Sequence, residues 1–424
     1  MNEYDSSAVA DMLEKAGWKE SAESEADLII VNTCAVRQAA EDRAIGHLLT
    51  LVGTYPKAKV GVMGCVAQEK GAELLDKYPQ IAFAVGPGEI DRIPVAIEKI
   101  SREACLDVDR LSGDGLRAHI ADGSMKAFIA ISRGCENFCS YCIVPYVRGK
   151  LRSRSIEDIL DEARLNVQAG IREITLLGQN VNSYLDKKSN SNFARLLKRM
   201  NDIEGLARIR YVTNHPKDMS DEIIDAIAEL PKVCEAIHLP VQSGSTRVLR
   251  AMNRGYTRVD YLNLVDRIKT RIPDVTLTTD IIAGFPGETD EDFEDTVSLY
   301  KTVEYAASFA FRYSIRPGTA AEKLDDDVPE ELKISRLERI IDLGQDYAAK
   351  YSESLLRKSR EVLVEGTSAK NPGMQYGYDR GGRRVLFPSK KDLRGALVNV
   401  VIKHADKWFL TGELQESNHD PCQL

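Results

Sequence analysis

The chain has 424 residues, of which 43% are hydrophobic and 29% are charged, and its formal net charge is −8. One hydrophobic core rarely exceeds about 250–300 residues, so this length predicts two or three domains, and the composition excludes a disordered chain and a uniformly basic nucleic-acid coat. No apolar run reaches the roughly 18–20 residues of a membrane helix and the start, Met1–Ser6, is polar, so we expect no membrane association, a cytoplasmic location and reduced thiols.

Residues 1–102 alternate helical and strand patterns, which predicts a small parallel sheet with helices on its faces. Continuous apolar runs are typical of strands that are buried on both faces. The predicted strands are Ala26–Asn32, Ala58–Met63 and Ile81–Val85, and the predicted helices are Ser7–Ala16, Val36–Leu51 and Glu69–Lys77. Residues 101–125 are charged and lack a clear period, so we interpret them as a linker.

Residues 121–351 contain six successive βα units, which favour a partial (β/α)6 barrel of the TIM type. The predicted strands are Ala127–Ser132, Glu173–Leu177, Arg208–Val212, Ala236–Leu239, Thr276–Ile282 and Ser308–Tyr313. The predicted helices are Ile156–Ala169, Phe193–Met200, Asp221–Leu230, Arg258–Thr270, Asp292–Val303 and Glu330–Arg357. The two further units of a full eightfold barrel are absent from the pattern.

Residues 354–417 change to short β runs that are separated by Gly and Pro. The runs are Glu361–Glu365, Arg383–Phe387, Leu397–Ile402 and Trp408–Leu410. This pattern predicts a small all-β module, a five-stranded barrel of roughly the size of an OB-fold. The fold class is therefore α/β, with a small all-β domain at the carboxyl end.

The strongest local signal is a loop of three cysteines, Cys135, Cys139 and Cys142, which follows the first barrel strand. Thiolates are soft ligands that suit zinc or an iron–sulfur cluster. Structural zinc usually takes four protein ligands, and no fourth Cys or His lies nearby in the sequence. A 4Fe–4S cluster normally takes four thiolates, so three would leave one iron open. We therefore favour an open cluster over a zinc knuckle or inert buried cysteines.

The spacing Cys-x3-Cys-x2-Cys at this place in a βα barrel resembles the radical S-adenosylmethionine (SAM) superfamily. Within it the chain resembles the methylthiotransferases, and the resemblance runs from the start of the chain to about residue 417. The matching segments are SRGCENFCSYCIVPYVRGKLRSR, TLLGQNVNSY, TNHP, HLPVQSGS, TTDIIAGFPGETDEDFEDT and FAFRYSIRPGTAA. NTCAVR, LLGQNVNSY and FRYSIRPGT are most similar to the branch that modifies an isopentenylated adenosine beside the anticodon of tRNA.

The resemblance implies that the iron left open at the cysteine loop binds the amino and carboxylate groups of SAM. An electron from the cluster then cleaves the cofactor to start radical chemistry. By the same resemblance, side chains at the strand ends line the SAM site, namely Gln179, Asn214, Gln242, Ser243 and Asp280, with Tyr141 beside the adenine. Asn and Ser also cap loops, which is the alternative interpretation of Asn214 and Ser243.

Cys34 and Cys65 each follow a buried strand of the predicted amino-terminal sheet. The carboxyl ends of neighbouring parallel strands form the crevice where such sheets bind ligands. The resemblance implies that three thiolates hold an auxiliary 4Fe–4S cluster here. The family pattern begins with a segment like Gly-Cys-Gln-Met-Asn-x-Tyr-Asp-Ser, whereas this chain opens at Met1-Asn-Glu-Tyr-Asp-Ser6, so we expect the first cysteine upstream of Met1. We predict no ligand role for Cys105, Cys234 and Cys422.

Two basic groups are candidates for contact with RNA phosphates. The first follows the cysteine loop and contains Arg148, Lys150, Arg152 and Arg154. The second lies in the β module, where Arg380, Arg383, Arg384, Lys390, Lys391 and Arg394 accompany Tyr376, Tyr378 and Phe387. Aromatic residues among basic ones suit stacking on single-stranded bases, although a solvated charged face is the alternative. The module resembles a TRAM domain, which implies RNA binding.

The resemblance as a whole implies an enzyme that adds a methylthio group to a tRNA adenosine, using SAM and two 4Fe–4S clusters. The implied partners are a tRNA anticodon stem-loop, an electron donor and a sulfur or iron–sulfur carrier, and we expect a monomer. Three alternatives remain. They are action on threonylcarbamoyladenosine in tRNA, action on an aspartate of a ribosomal protein, and a non-catalytic iron–sulfur protein that binds RNA.

Overall fold

The computed structural model describes residues 1–35, 38–99, 105–108 and 123–415. Its first unit contains, in chain order, α1 (Asn2–Lys15), β1 (Leu28–Thr33), α2 (Gln38–Thr54), β2 (Lys59–Gly64), α3 (Cys65–Lys77), β3 (Ile81–Val85), α4 (Ile93–Lys99) and β4 (Cys105–Asp107). The four strands form a parallel sheet in the order β1-β2-β3-β4, which confirms the predicted sheet. One hydrophobic cluster joins it to α2 and α3, and a second joins it to α1 and α4.

The structure corrects three sequence predictions in this unit. Helix α1 begins at Asn2 and not at Ser7, because Tyr4 and Asp5 are buried on its inner face. Strand β4 lies inside the predicted linker, where it pairs with β3. Helix α3 begins directly at Cys65. The predicted helix start at residue 36, and residues 109–122 of the predicted linker, lie outside the described residues.

The second unit contains β5 (Lys126–Ala130), β6 (Ser132–Arg133), α5 (Val144–Arg148), β7 (Arg152–Ser153), α6 (Ile156–Gln168), β8 (Glu173–Leu177), β9 (Leu185–Asp186), β10 (Ser191–Asn192), α7 (Phe193–Asn201), β11 (Arg208–Tyr211), α8 (Asp221–Glu229), β12 (Ala236–His238), α9 (Thr246–Ala251), α10 (Arg258–Arg271), β13 (Thr276–Ala283), α11 (Asp290–Val303), β14 (Ala307–Arg312) and α12 (Glu330–Ser354). Helices α6 to α11 each begin after a Ser, Thr or Asn side chain that accepts a backbone hydrogen bond.

Six of these strands form the predicted partial barrel. They lie in two parallel three-stranded sheets, β11-β8-β5 and β12-β13-β14. An isolated parallel bridge between Ile209 and Val233 connects the two sheets. The largest hydrophobic cluster contains Ile174 and Leu176 of β8 with Phe193 and Leu197 of α7. In the described part of the chain no pairing joins the edge strands β5 and β14, so the barrel is open there, and the carboxyl ends of its parallel strands lie at one end.

The third unit is a closed barrel of β15 (Ser359–Ser368), β16 (Asn371–Asp379), β17 (Arg384–Pro388), β18 (Leu397–Ala405) and β19 (Phe409–Leu414). Its strand order is β15-β16-β17-β19-β18, so the predicted five-stranded module is confirmed. Sequence patterns missed β16, because Pro372, Gly373 and Gly377 are typical of turns. A Cβ on Gly377 would lie 2.1 Å from the Leu363 carbonyl oxygen, so close strand pairing requires glycine there.

The closed barrel contacts the amino ends of the parallel strands, which is the end opposite the cysteine loop. Arg208, at the start of β11, donates to the Tyr378 carbonyl at 2.6 Å. In return, Arg380 donates to the Val233 carbonyl at 2.6 Å, and Arg383 donates to the Ala306 carbonyl at 2.7 Å. These reciprocal bonds fix the third unit to the base of the second.

Two further findings concern the molecule as a whole. A cavity of about 240 Å³ lies between the base of the open barrel and the closed barrel, lined by charged side chains such as Glu235, Arg360 and Arg380. It is far from the cysteine loop in the fold. Among the described helices, none combines the length and the apolar composition needed to cross a membrane.

Candidate functional site

The three loop cysteines lie at the carboxyl end of the first barrel strand, as predicted. Gly134, directly before Cys135, has a φ of 78°, and a Cβ there would lie 2.2 Å from the Lys150 carbonyl oxygen. The Cys135 amide donates to the Gly149 carbonyl at 3.1 Å, and the Cys142 amide donates to the Cys139 carbonyl at 2.9 Å. A tight turn in left-handed backbone therefore brings the three thiols to one side of the strand end.

Arg254 anchors this loop, and sequence reasoning missed it. Its buried guanidinium donates to the Cys139 sulfur at 3.2 Å, to the Tyr141 hydroxyl at 3.2 Å and to the Pro240 carbonyl at 2.8 Å. Burial opposes the charge, but Tyr141, Tyr256 and Cys139 outweigh it and raise the pKa of Arg254 well above its usual value. No motif marks this arginine, because it reaches the loop from a distant turn.

The surroundings of two of the thiols, Cys135 and Cys142, favour the protonated form. Burial, with the neighbouring Cys139, raises the pKa of Cys142 to about 12, and burial also raises the pKa of Cys135. His215 lies with its Nε2 3.9 Å from the Cys139 sulfur. Burial, Arg254 and Lys217 lower the pKa of His215 to about 2, so its imidazole is neutral. Metal binding must therefore displace thiol protons.

Three thiols on one loop are donors that suit a 4Fe–4S cluster with one iron left open. A 4Fe–4S cluster binds each thiolate through a different iron, and the cationic Arg254 beside Cys139 compensates the thiolate charge.

The predicted SAM residues fall at the same end of the barrel and differ in what they contact. Gln179 accepts a hydrogen bond from the Gly134 amide at 2.6 Å, so it also orders the cysteine loop. The Asn214 amide donates to the His238 carbonyl at 3.0 Å, while its side-chain oxygen is buried and has no partner in the residues that the structure describes. The carboxylate of Asp280 lies 3.4 Å from His238 Nε2. Among the predicted SAM residues, Asn214 is the one whose buried side-chain oxygen has no partner in the described part of the chain.

The other three predicted SAM residues are Gln242, Ser243 and Tyr141. Gln242 has a φ of 73°, and its backbone bonds to β13 through Asp280 and Ile282, so its side chain leaves a strained turn. Ser243 has no exposed surface, and its hydroxyl accepts a hydrogen bond from the Ser245 amide at 3.2 Å, which matches the loop-capping alternative. Tyr141 is partly buried in a cluster with Phe285 and Tyr313.

Cys34 and Cys65 come together at the edge of the amino-terminal sheet. Each follows directly on a paired position, because Thr33 of β1 pairs with Gly64 of β2. Cys65 is buried and Cys34 is half-buried. The Nε of Arg148 donates to the Cys65 sulfur at 3.3 Å. Cys34 and Cys65 therefore lie at the carboxyl ends of two neighbouring strands, which is where the sequence placed them.

The amino-terminal residues lie beside these thiols. The Asn2 amide donates to the Thr33 carbonyl at 3.2 Å, next to Cys34, and Asn2 Oδ1 accepts from Arg148 at 3.5 Å. Asp5 is 1% exposed and forms an ion pair with Arg133 at 2.7 Å. The other cysteines lie elsewhere: Cys105 is at the start of β4 and Cys234 is near the barrel base, while Cys422 is outside the described residues.

The structure corrects part of the predicted RNA-contact set. Arg148 is 5% exposed and contacts Cys65, so it is too buried to contact an RNA phosphate. Arg383 is 9% exposed and binds carbonyls between the two barrels. Arg154 is largely buried in an ion pair with Glu162 at 2.6 Å. Local basic composition could not distinguish these internal roles from surface ones.

Arg380 likewise bonds the Val233 carbonyl and Glu235 between the two barrels, whereas other basic residues of that set reach the surface. Arg152 and Lys390 are exposed. Arg384 is half-buried, and its guanidinium lies 4.5 Å from the centre of the Tyr376 ring. Lys391 and Arg394 are exposed beside Lys390. The closed barrel therefore presents a basic surface with an aromatic ring beside it.

Comparison with known proteins identifies relatives over almost the whole chain. The Radical SAM superfamily profile matches residues 129–300, and that of the uncharacterized protein family UPF0004 matches residues 1–86. A tRNA-2-methylthio-N(6)-dimethylallyladenosine synthase of Clostridium botulinum is 47% identical over 424 residues, covering 97% of this chain and 94% of the relative. The protein of the same name from Carboxydothermus hydrogenoformans is 43% identical over 426 residues, covering 98% and 97%.

A solved structure supports the fold assignment. The radical S-adenosylmethionine methyltransferase TsrM from Kitasatospora setae matches with a TM-score of 0.56 and 16% sequence identity. The match covers 87% of this chain and 78% of TsrM. At this identity the likeness establishes the fold alone.

Proposed function

The chain belongs to the radical SAM tRNA methylthiotransferases, and from this premise we propose that it adds a methylthio group to C2 of the adenine in N6-isopentenyladenosine, next to the anticodon. The observation that carries the proposal is the loop of Cys135, Cys139 and Cys142 at the barrel's strand ends, in a chain that matches those synthases almost end to end. Three thiolates leave one position of a 4Fe–4S cluster for SAM.

The family uses SAM and 4Fe–4S clusters, which supply one-electron cleavage of the cofactor and radical chemistry at an unactivated carbon. The residues of this chain hold the cysteine loop and contact the cofactor. Arg254 holds the loop sulfur of Cys139 and the hydroxyl of Tyr141, and Gln179 fixes the turn before Cys135. We assign SAM contact to Gln179, Asn214, Gln242, Asp280 and Tyr141, and a supporting role in the same loop to Ser243.

We assign the auxiliary cluster to Cys34 and Cys65, where it would supply sulfur. Support comes from their adjacent strand ends and from the buried cationic Arg148 on the Cys65 sulfur. The UPF0004 profile spans both thiols. Asn2 lies at the same place, because its side chain bonds both the Thr33 carbonyl and Arg148.

We propose that the tRNA anticodon stem-loop contacts the closed barrel and the rim of the cysteine loop. The exposed residues Arg152 and Lys390, with Arg384 beside the Tyr376 ring, are the candidates. Basic residues beside an aromatic ring suit a backbone whose bases are unstacked. An electron donor and a sulfur or iron–sulfur carrier complete the partner set, and we propose a monomer that works in the cytoplasm, where tRNA is found.

The test is a complementation experiment read by mass spectrometry of tRNA nucleosides. The chain is expressed in a bacterial strain whose tRNA carries isopentenyladenosine without the methylthio group. We expect methylthio-isopentenyladenosine to appear with the wild-type chain and to be absent with Cys139→Ala. Methylthio-threonylcarbamoyladenosine alone, or a modified ribosomal aspartate alone, would contradict the proposal in favour of those substrates.

A second measurement separates catalysis from binding alone. Purified protein is loaded with iron and sulfide without oxygen, and SAM and a reductant are added. We expect 5′-deoxyadenosine to accumulate with the wild-type chain but not with Cys139→Ala. RNA binding without any cleavage of SAM would contradict the enzyme assignment.

A further inference from the structure

Arg148 is the feature that we select, because it joins the two cysteine sites of the molecule. It is the last residue of α5, a helix that begins two residues after Cys142. Its guanidinium leaves the barrel unit and donates to the sulfur of Cys65 in the amino-terminal unit. We propose that Arg148 is a positioning residue that hydrogen-bonds and charge-stabilises the auxiliary cluster. This inference rests on the proposed function, which places a cluster at Cys34 and Cys65.

The guanidinium of Arg148 has an unmet hydrogen-bonding requirement. Arg148 is 5% exposed, its Nε donates to the Cys65 sulfur at 3.3 Å, and its buried Nη1 has no partner among the described residues. A buried donor almost always has an acceptor in the native state. A guanidinium is always protonated in proteins, so the side chain is cationic. We therefore expect Nη1 to donate to an anionic ligand that binds beside the Cys65 thiol.

Neighbouring residues fix the orientation of this guanidinium. Its Nη2 faces Asp5 Oδ2 at 3.6 Å and Asn2 Oδ1 at 3.5 Å. Asp5 is itself held by Arg133 at 2.7 Å and is 1% exposed. Nη2 and Nε are thus occupied, and Nη1 is the donor that remains for a ligand.

The charges at this place favour an anionic ligand. Two guanidinium groups, Arg133 and Arg148, face one carboxylate, Asp5, so these three side chains carry one net positive charge before any thiol ionises. A cluster held by thiolates is anionic and has sulfur atoms that accept hydrogen bonds. Hydrogen bonds to cluster sulfur and nearby charge set its reduction potential. Loss of Arg148 should therefore disfavour the reduced, more negative state.

The experiment uses the full chain in the background Cys135→Ala, Cys139→Ala, Cys142→Ala, so that a cluster can bind only at the auxiliary site. Parent, Arg148→Gln, Arg148→Lys and the matched control Arg164→Gln are loaded with iron and sulfide without oxygen. Arg164 is a suitable control because it is exposed and pairs with Asp161 on the surface of α6. The readouts are the cluster's midpoint potential and the rate at which a chelator removes its iron.

We expect Arg148→Gln to lower the equilibrium constant for cluster reduction at least tenfold, a negative shift of about 59 mV for a one-electron couple, and to speed loss of iron at least fivefold. Arg148→Lys keeps the charge and should give values between Gln and parent. Arg164→Gln should match the parent. Circular dichroism of the unloaded variants checks folding, and if the Gln variant unfolds, the Lys variant decides.

Two results overturn the inference in distinguishable ways. A parent that loads a cluster whose potential and iron loss are unchanged in both Arg148 variants overturns the role of Arg148 and leaves the proposed function intact. A parent that binds no cluster overturns the auxiliary placement at Cys34 and Cys65, and this inference with it.

Discussion

The guanidinium of Arg254 donates a hydrogen bond to the sulfur of Cys139 at 3.2 Å, although the two residues lie 115 positions apart. The same group bonds the Tyr141 hydroxyl and the Pro240 carbonyl. One buried cation therefore links the cysteine loop to the end of β12. The conformation of the cysteine loop therefore depends on a contact between residues that are far apart in the chain.

Substitution of Arg254 should release the cysteine loop. We expect Arg254→Gln to lower the free energy of unfolding by about 2–4 kcal/mol, because it leaves several buried partners without a hydrogen bond. Cluster loading at Cys135, Cys139 and Cys142 should also fall sharply. Urea unfolding and iron content after desalting measure both effects. Arg250→Gln is the control, since Arg250 is exposed on α9, and an equal loss in both variants would contradict the prediction.

Gly134 should tolerate no side chain. Its φ is 78°, and a Cβ would clash with backbone oxygens of Gly149 and Lys150 at 2.5 and 2.2 Å. Gly170 is a matched control, because its φ is 96° with nothing within 4 Å of a Cβ. We expect Gly170→Ala to cost about 1–2 kcal/mol for backbone strain alone. Gly134→Ala should cost clearly more and abolish cluster loading, as thermal unfolding and iron analysis will show, and equal costs would refute the steric argument.

A buried ion pair should hold the amino-terminal unit on the barrel. Arg316, in the segment after β14, bonds Glu41 of α2 at 2.6 Å, and both side chains are nearly inaccessible to solvent. We expect Glu41→Gln to lower stability by about 3–5 kcal/mol, because it leaves the guanidinium uncompensated. Glu157→Gln removes an exposed pair with Arg199 and should cost less than about 1 kcal/mol. Urea titrations that give similar values for both variants would contradict this role.

Asp292 predicts a pH dependence of stability. Burial opposes its ionisation, but hydrogen bonds from Arg247, Ser245 and Thr289 outweigh it and lower its pKa from 3.8 to about 2. The ionised form therefore stabilises the folded state, and the contribution is complete above about pH 4 and is lost as the pH falls towards 2. It amounts to about 2 kcal/mol.

Asp292→Asn should accordingly lose about 2 kcal/mol at pH 7 and show a smaller deficit relative to wild type at pH 3. Unfolding midpoints in urea at the two pH values measure this difference. Asp161→Asn is the control, because Asp161 is exposed and its pair with Arg164 lies in solvent. A deficit for Asp292→Asn that is independent of pH would mean that shape and not charge causes it.

Sequence patterns predicted the elements with strong periodicity. β3 and β8 begin and end at the predicted residues, and the parallel sheet, the partial barrel and the closed barrel are confirmed. Such segments are predictable because a continuous apolar run marks a strand that is buried on both faces, and every residue of β3 and β8 is buried. Strand β16 was missed because its Pro and Gly residues resemble a turn, and β4 was missed because a three-residue strand carries too little pattern.

The sequence by itself determined the chemistry that this chain can support. Three soft ligands within eight residues, and two more after successive apolar strands, are set by order along the chain, and the resemblance of whole segments identified the family. The tertiary structure decided which cationic side chains contact those thiols. The sequence predicted that Arg148 contacts RNA at the surface, but its side chain is hydrogen-bonded to the Cys65 sulfur. No sequence motif marks Arg254, which is hydrogen-bonded to the Cys139 sulfur. Local composition reports charge but not burial, and burial depends on contacts between residues far apart in the chain.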